Sequence, residues 1–128
     1  MKELGLTQLQ LEIMRTLWER GEATVGEVHV SIGRERGLAQ ATIATLLRRL
    51  EKKGAVTHKV QGRQFVYRAA VTSDAVRRSM LTDVAERLLP NEVPALINQL
   101  FASKKIGADE LEQVKKLIEQ KEREALGE

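Results

Sequence analysis

The chain has 128 residues, 42% of them apolar and 30% charged, with 21 Lys/Arg against 18 Asp/Glu for a net charge of +3. That is the size and balance of one folded domain, or of one domain with a helical extension, and no low-complexity tract points to disorder. There is no cysteine, and His29 and His58 stand far apart, so a disulfide framework, a redox thiol and a thiolate metal site are excluded, and neither a metal nor another cofactor is expected.

Aromatic residues make up only 3% (Trp18, Phe65, Tyr67 and Phe101), so the core must be aliphatic. The opening stretch MKELGLTQLQLE places acids where a secretory signal needs an apolar run, and no run approaches the roughly 20 residues of a membrane span. A soluble, cytoplasmic protein is expected. The charge is unevenly spread. Residues 1–72 carry 12 basic and 7 acidic side chains, residues 73–128 carry 9 and 11, and the stretch 34–68 alone holds 9 basic against 2 acidic. A basic half joined to a slightly acidic half suits a nucleic-acid module carrying a partner module, or a solvated basic face with no ligand; charge alone does not decide.

In chain order, Thr7 with Gln10 has the spacing of a capping box, predicting a helix to Arg20 that is stopped by Gly21. Leu6, Leu9, Ile13, Met14, Leu17 and Trp18 form its apolar face, with Trp18 read as core. A second box, Thr24 with Glu27, predicts a short helix through Ile32 with Val25, Val28 and Ile32 inward. Thr24 is read either as a plain cap or as a phosphate contact. His29 has no second histidine at helical spacing and receives no role. The charged turn Gly33–Gly37 joins this helix to the next, as in a helix-turn-helix.

The next segment organises the chain. Ile43, Leu46, Leu47 and Leu50 follow the spacing of a helix with one buried face, and Gly54 is the expected stop. The opposite side carries Ala41, Thr45, Arg48 and Lys52, flanked by Thr42 and Arg49. These types suit a DNA major groove. Ala41 and the methyls of Thr42 and Thr45 can meet thymine methyls, Gln40 can pair with adenine, and Arg48 can donate twice to guanine or grip a phosphate. Lys52, Lys53 and Arg49 lie toward the helix end, near the DNA backbone, with an internal ion pair as the other reading for Arg49. Two β-prone runs follow, Val56–Val60 and Phe65–Ala69, joined by the turn Gln61-Gly62-Arg63-Gln64. Arg63 and Gln64 at its tip are expected to reach phosphates or the minor groove; Phe65 and Tyr67 are read as core. Together these are the recognition helix and wing of a winged helix-turn-helix.

Beyond Thr72 the pattern changes. Thr72 or Ser73 caps a helix with the stripe Val76, Met80, Val84, Leu88, ended by Pro90. Asn91 is expected to cap a second helix, with Pro94 in its first turn and Val93, Leu96, Ile97, Leu100 and Phe101 on one side. After a polar break, Ser103–Gly107, a last helix carries Leu111, Val114, Leu117 and Ile118, with Glu112–Lys116 and Glu119–Arg123 at i,i+4. Three stripes this narrow cannot close a core alone, so two chains are expected to interleave them through Val76, Met80, Val84, Leu88, Leu96, Ile97, Leu100, Leu111, Val114 and Ile118. The expected organisation is a DNA-binding domain at 1–72 and a helical dimerisation region at 73–128. The fold class is mainly α, an α+β winged helix-turn-helix with an all-helical C-terminal region. A homodimer would present two recognition helices to a pseudo-palindromic operator.

The chain resembles the penicillinase-repressor family of winged-helix transcriptional repressors, the BlaI/MecI repressors with the copper-responsive CopY branch. The likeness runs through LTQLQLEIMRTLW at Leu6–Trp18, ATVGEV at Ala23–Val28, ATIATLLRRLEKKGAV at Ala41–Val56, GRQFVY at Gly62–Tyr67 and IGADELEQVKKLIEQ at Ile106–Gln120. It implies repression by a homodimer over a promoter, read by Gln40, Ala41, Thr42, Thr45 and Arg48 with Arg63 and Gln64. Where such repressors often open the recognition helix with Ser-Pro-Lys-Thr, this chain has Ala39-Gln40-Ala41-Thr42, a weaker cap without the basic reader; Ala69 stands where many have proline. In the β-lactam-responsive branch a sensor protease cleaves an Asn-Phe step, and the aligned step here is Gln99-Leu100. The cysteine-rich hook of the copper branch is absent.

Two rival uses of the fold remain. A module regulated by a small-molecule ligand needs a pocket with convergent polar groups between the two halves. One used for protein–protein contact predicts a less basic recognition helix. An enzyme is not expected: no phosphate loop, nucleophile elbow or metal-ligand spacing is present, and Glu35 and Glu51 read as solubility and ion-pair residues.

Overall fold

The computed structural model describes residues 4–127; Met1–Glu3, part of the opening stretch weighed above, and Glu128 lie outside the described residues. The chain divides into two compact units, Met1–Ala85 and Glu86–Glu128.

The first unit begins with α1 (Gln8–Arg20), started by the reciprocal box that its sequence predicts. The Gln10 amide donates to Thr7 Oγ1 and the Thr7 amide to Gln10 Oε1, both at 3.1 Å. Gly21 ends the helix at φ +87°, a backbone angle that side chains with a Cβ resist. A two-residue strand, β1 (Ala23–Thr24), then precedes α2 (Val25–Val28), whose first turn is closed by Thr24 and Glu27. Periodicity cannot reveal so short a strand, and none was expected there. The helix continues as a wider π-type turn, His29–Gly33. α3 (Gln40–Lys52) follows, and its Ala39 N-cap offers no side-chain bond, as the sequence implies. At its other end the Ala55 amide donates to the Leu50 carbonyl and Gly54 sits at φ +85°, a Schellman stop.

β2 (Val56–Gln61) and β3 (Gln64–Ala69) form an antiparallel hairpin with β1 on the far edge, in the order β1-β3-β2. Gln61 pairs with Gln64, so the turn proper is only Gly62-Arg63, tighter than the four residues expected. Gly62, at φ +65°, takes the first position of that turn, as a II′ turn requires.

The core is aliphatic apart from Tyr67, and it joins Ile13, Met14 and Leu17 of α1 to Ile43, Leu47 and Leu50 of α3. Burying each such leucine or isoleucine contributes about 1.5–3 kcal/mol. Trp18 packs against this core and donates from Nε1 to the Val71 carbonyl at 2.9 Å. That bond ties α1 to the residues leading into α4 (Ser73–Arg87), which is capped by Thr72 through the Ala75 amide at 3.0 Å.

Val76 departs from its expected role. It is buried within the core of the first unit, because the first turns of α4 pack there, so it is not left over for a second chain. The unit boundary correspondingly falls inside α4, later than the change of pattern at Thr72.

In the second unit a 3₁₀ turn, Pro90–Glu92, leads into α5 (Val93–Ala102), and α6 (Ala108–Ala125) follows. Asn91 is not the cap. Glu92 reaches back to accept the Leu89 amide at 2.8 Å, and Leu89 is extended as residues before proline must be. On α6 the ion pairs close at i,i+3 (Lys115–Glu112 at 3.6 Å and Lys121–Glu124 at 3.3 Å), in place of the i,i+4 pairs expected. Among the described residues no helix is long and apolar enough to cross a membrane.

Candidate nucleic-acid interface

α3 is amphipathic, so burying Ile43, Leu47 and Leu50 turns its opposite side outward. Gln40, Ala41, Thr42, Arg48 and Lys52 are exposed there, and Thr45 is half-buried among them. Arg63 and Gln64 are exposed at the hairpin tip. One cleft gathers Gln40 and Arg48 from α3, Arg63 and Gln64 from the wing, and Thr24 and Gly26 from the start of α2. Phe65 and Tyr67 also line it. Ala41, Thr42 and Lys52 are not among its lining residues.

Arg48 does not hang free. Its Nη2 donates to Thr45 Oγ1 at 3.2 Å, and that hydroxyl donates to the Ala41 carbonyl at 3.1 Å. The Thr45 hydroxyl is thus engaged within the helix, leaving its methyl for apolar contact, while the guanidinium is held along the outward face. Burial pushes the Tyr67 hydroxyl above its ordinary range; the Glu51 carboxylate adds to the effect and Arg48 offsets part of it. Arg48, Glu51 and Tyr67 therefore share one electrostatic neighbourhood.

Three readings change with the geometry. Lys53 is exposed but folds back onto the N-terminal segment, donating to the Gly5 carbonyl at 3.0 Å and to Gln10 Oε1 at 3.1 Å, so its charge anchors that segment. Phe65 does not enter the core: it is 44% exposed near the tip of the hairpin, whereas Tyr67 is buried. Arg49 is exposed, and no carboxylate pairs with it among the described residues.

Sequence reasoning left His29 without a role. Its Nε2 donates to the Leu38 carbonyl at 2.7 Å, immediately before α3. The readable signal was a histidine four residues before Gly33, where the missing Cβ leaves room for the ring. Gly26 was missed too; it borders the cleft beside Gln40, and Gln40 also lines a second cleft with Arg20, Ser31 and Arg34. Thr24 serves its cap, bonding the Glu27 amide at 3.2 Å, and it borders both clefts.

Of the residues expected to meet a second chain, Met80, Val84, Ile97 and Ile118 are exposed, while Leu88, Leu96, Leu100, Leu111 and Val114 are half-buried. Neither α5 nor α6 buries a single side chain. Gln99 and Leu100 lie within α5, where their carbonyls accept the amides of Ser103 and Lys105.

A family model described as penicillinase repressor matches residues 6–120. The chain belongs to the penicillinase repressor family. The chain is 22% identical over 115 residues to the penicillinase repressor of Bacillus licheniformis, covering 90% of each chain. It is 21% identical over 120 residues to the methicillin resistance regulatory protein MecI of Mammaliicoccus sciuri, covering 94% of this chain and 98% of that one. Among solved structures, the DNA binding domain of the repressor BlaI matches at 32% identity and a TM-score of 0.51, covering 56% of this chain and 88% of that one. YusO from Bacillus subtilis, at 15% identity and a TM-score of 0.51, shares the fold alone. The fold class expected of a penicillinase repressor, a mainly helical winged helix with a small antiparallel sheet, is the one observed.

Proposed function

We propose that the protein is a sequence-specific transcriptional repressor that sits as a homodimer on a pseudo-palindromic DNA operator. The observation that carries the reading is the shared cleft. Gln40 and Arg48 from α3 meet Arg63 and Gln64 from the wing there, within a stretch that holds 9 basic side chains against 2 acidic. Gln40 and Arg48 supply the donor and acceptor patterns that discriminate base edges; Arg63 and Lys52 supply positive charge for phosphates. Family membership and the likeness to the BlaI domain support the same use.

Self-association rests on the second unit. Two helices of 10 and 18 residues that fully bury no side chain within one chain leave Val93, Ile97, Phe101, Leu117 and Ile118 exposed. Covering such apolar faces with those of a second copy removes them from water and would pair two reading heads about a two-fold axis.

The test is selection from a random DNA pool at physiological salt, followed by sequencing of what is retained. A two-fold palindrome among the survivors is the expected result. Retention without a shared motif would reduce the interface to a phosphate grip. No retention would turn the fold toward protein contact.

A further inference from the structure

The face of the hairpin turned to α3 opens progressively toward its tip. Val56 and Tyr67 are buried, His58 is half-buried, Phe65 is 44% exposed and Val60 is 65% exposed. His58 stands opposite Tyr67, and the Val60–Phe65 pair lies beyond them, next to Gln61 and Gln64. A two-stranded ribbon holds its own conformation only marginally in water, so the outer part of this wing needs an anchor.

The end of α3 supplies that anchor. Glu51, in the last turn of α3, accepts from His58 Nδ1 at 2.7 Å and 2.9 Å through its two oxygens. The His58 ring lies face to face on Phe65, with centroids 4.1 Å apart and planes 12° apart, and Tyr67 flanks it at 5.5 Å. Phe65 is bonded in sequence to Gln64, beside Arg63. The chain of contacts thus runs from the recognition helix through one carboxylate and two rings to the wing tip.

We infer that His58 is a positioning residue for the wing: held by Glu51, it stacks on Phe65 and sets Arg63 and Gln64 at a fixed offset from α3. This rests on the DNA-reading function proposed above and deepens it. The two reading elements act as one rigid unit because of this contact, and the cleft shared by Gln40, Arg48, Arg63 and Gln64 keeps its width.

His58→Phe is the informative variant, since it keeps a ring for Phe65 and loses only the bond to Glu51; Glu51 itself sits too near Arg48 to be changed cleanly. Operator affinity is measured for the wild type, His58→Phe, the tip variant Arg63→Ala/Gln64→Ala, and the combination. The expected result is a loss of about 3- to 10-fold for His58→Phe in the wild-type background, the range of one lost hydrogen bond. In the tip variant the same substitution should change affinity by less than about 2-fold, because the wing no longer contributes. A full, additive loss in the tip variant overturns the inference, as does no loss in the wild-type background.

A second measurement needs no DNA. In free His58→Phe, amide hydrogen exchange at Gln61–Phe65 should quicken while α3 keeps its protection. Unchanged tip exchange overturns the inference even if the operator selection succeeds. Failure of the selection with quickened tip exchange instead places the fault in the DNA reading.

Discussion

The imidazole of His29 bridges the helix-turn-helix to the carbonyl oxygen of Leu38, 2.7 Å from Nε2, and in reaching it covers Gly33. A Cβ at Gly33 would stand 2.8 Å from His29 Cδ2 and 3.2 Å from Ile43 Cγ1. Gly33→Ala must therefore displace either the ring or a core isoleucine, and should cost about 1–3 kcal/mol. The measurement is the urea midpoint at unchanged m-value. An unaltered midpoint would mean that the ring swings aside without cost and does not hold the turn.

Trp18→Phe should preserve most of the packing of α1 while leaving the Val71 carbonyl without its donor, 2.9 Å away in the native chain. A destabilisation of about 1 kcal/mol is expected, with unchanged far-ultraviolet circular dichroism. A loss far larger than that would show that the phenyl ring fails to fill the indole's place.

The Thr24 amide, followed by its hydroxyl, holds the Glu27 carboxyl below its ordinary value of 4.5, and Arg20 at 2.5 Å adds to this. A carboxyl lowered in the folded state adds stability that is complete above its unfolded pKa and disappears as pH falls through the folded one. Glu27→Gln should therefore be less stable than the wild type at pH 7, and the two should converge in acid, below the folded pKa. Urea midpoints across pH provide the comparison; a constant gap into strong acid would refute the electrostatic origin.

On an operator recovered by selection, Arg48→Ala should lose about 1–3 kcal/mol of binding and relax preference at one base position. An equal loss on every DNA sequence would assign the guanidinium to a phosphate.

Ile118 is 53% exposed in the single chain, so Ile118→Asp introduces little burial cost within one protomer. Sedimentation should nevertheless show monomers, with operator binding much weakened. A variant that remains dimeric would remove this face of α6 from the interface.

Much of the fold was readable in advance because its signals are local. Thr7 with Gln10, Thr24 with Glu27, and Gly54 after Leu50 each act within one turn of helix, so the residues involved lie side by side in the sequence. The apolar spacing of Ile43, Leu47 and Leu50 likewise determined which side of α3 faces outward, and with it the exposure of Gln40, Ala41, Thr42 and Arg48. At Lys53 and Val76 the expectation failed because the partners come from elsewhere in the chain. Lys53 looks like a DNA-backbone residue until Gly5 and Gln10 arrive beside it. Val76 looks like part of an interface stripe until the core of the first unit claims it.

The capping boxes of α1 and α2, the apolar spacing of α3, the hairpin and the outward basic face are legible in the residues alone, since these follow from periodicity and short-range hydrogen bonds. How the face is built follows from the packing of the elements in three dimensions. The meeting of Gln40 and Arg48 with Arg63 and Gln64, the bond from His29 to Leu38 and the link from Glu51 through His58 to Phe65 join separate elements. Such contacts depend on how packed elements bring distant residues together, and no spacing along the chain encodes that distance.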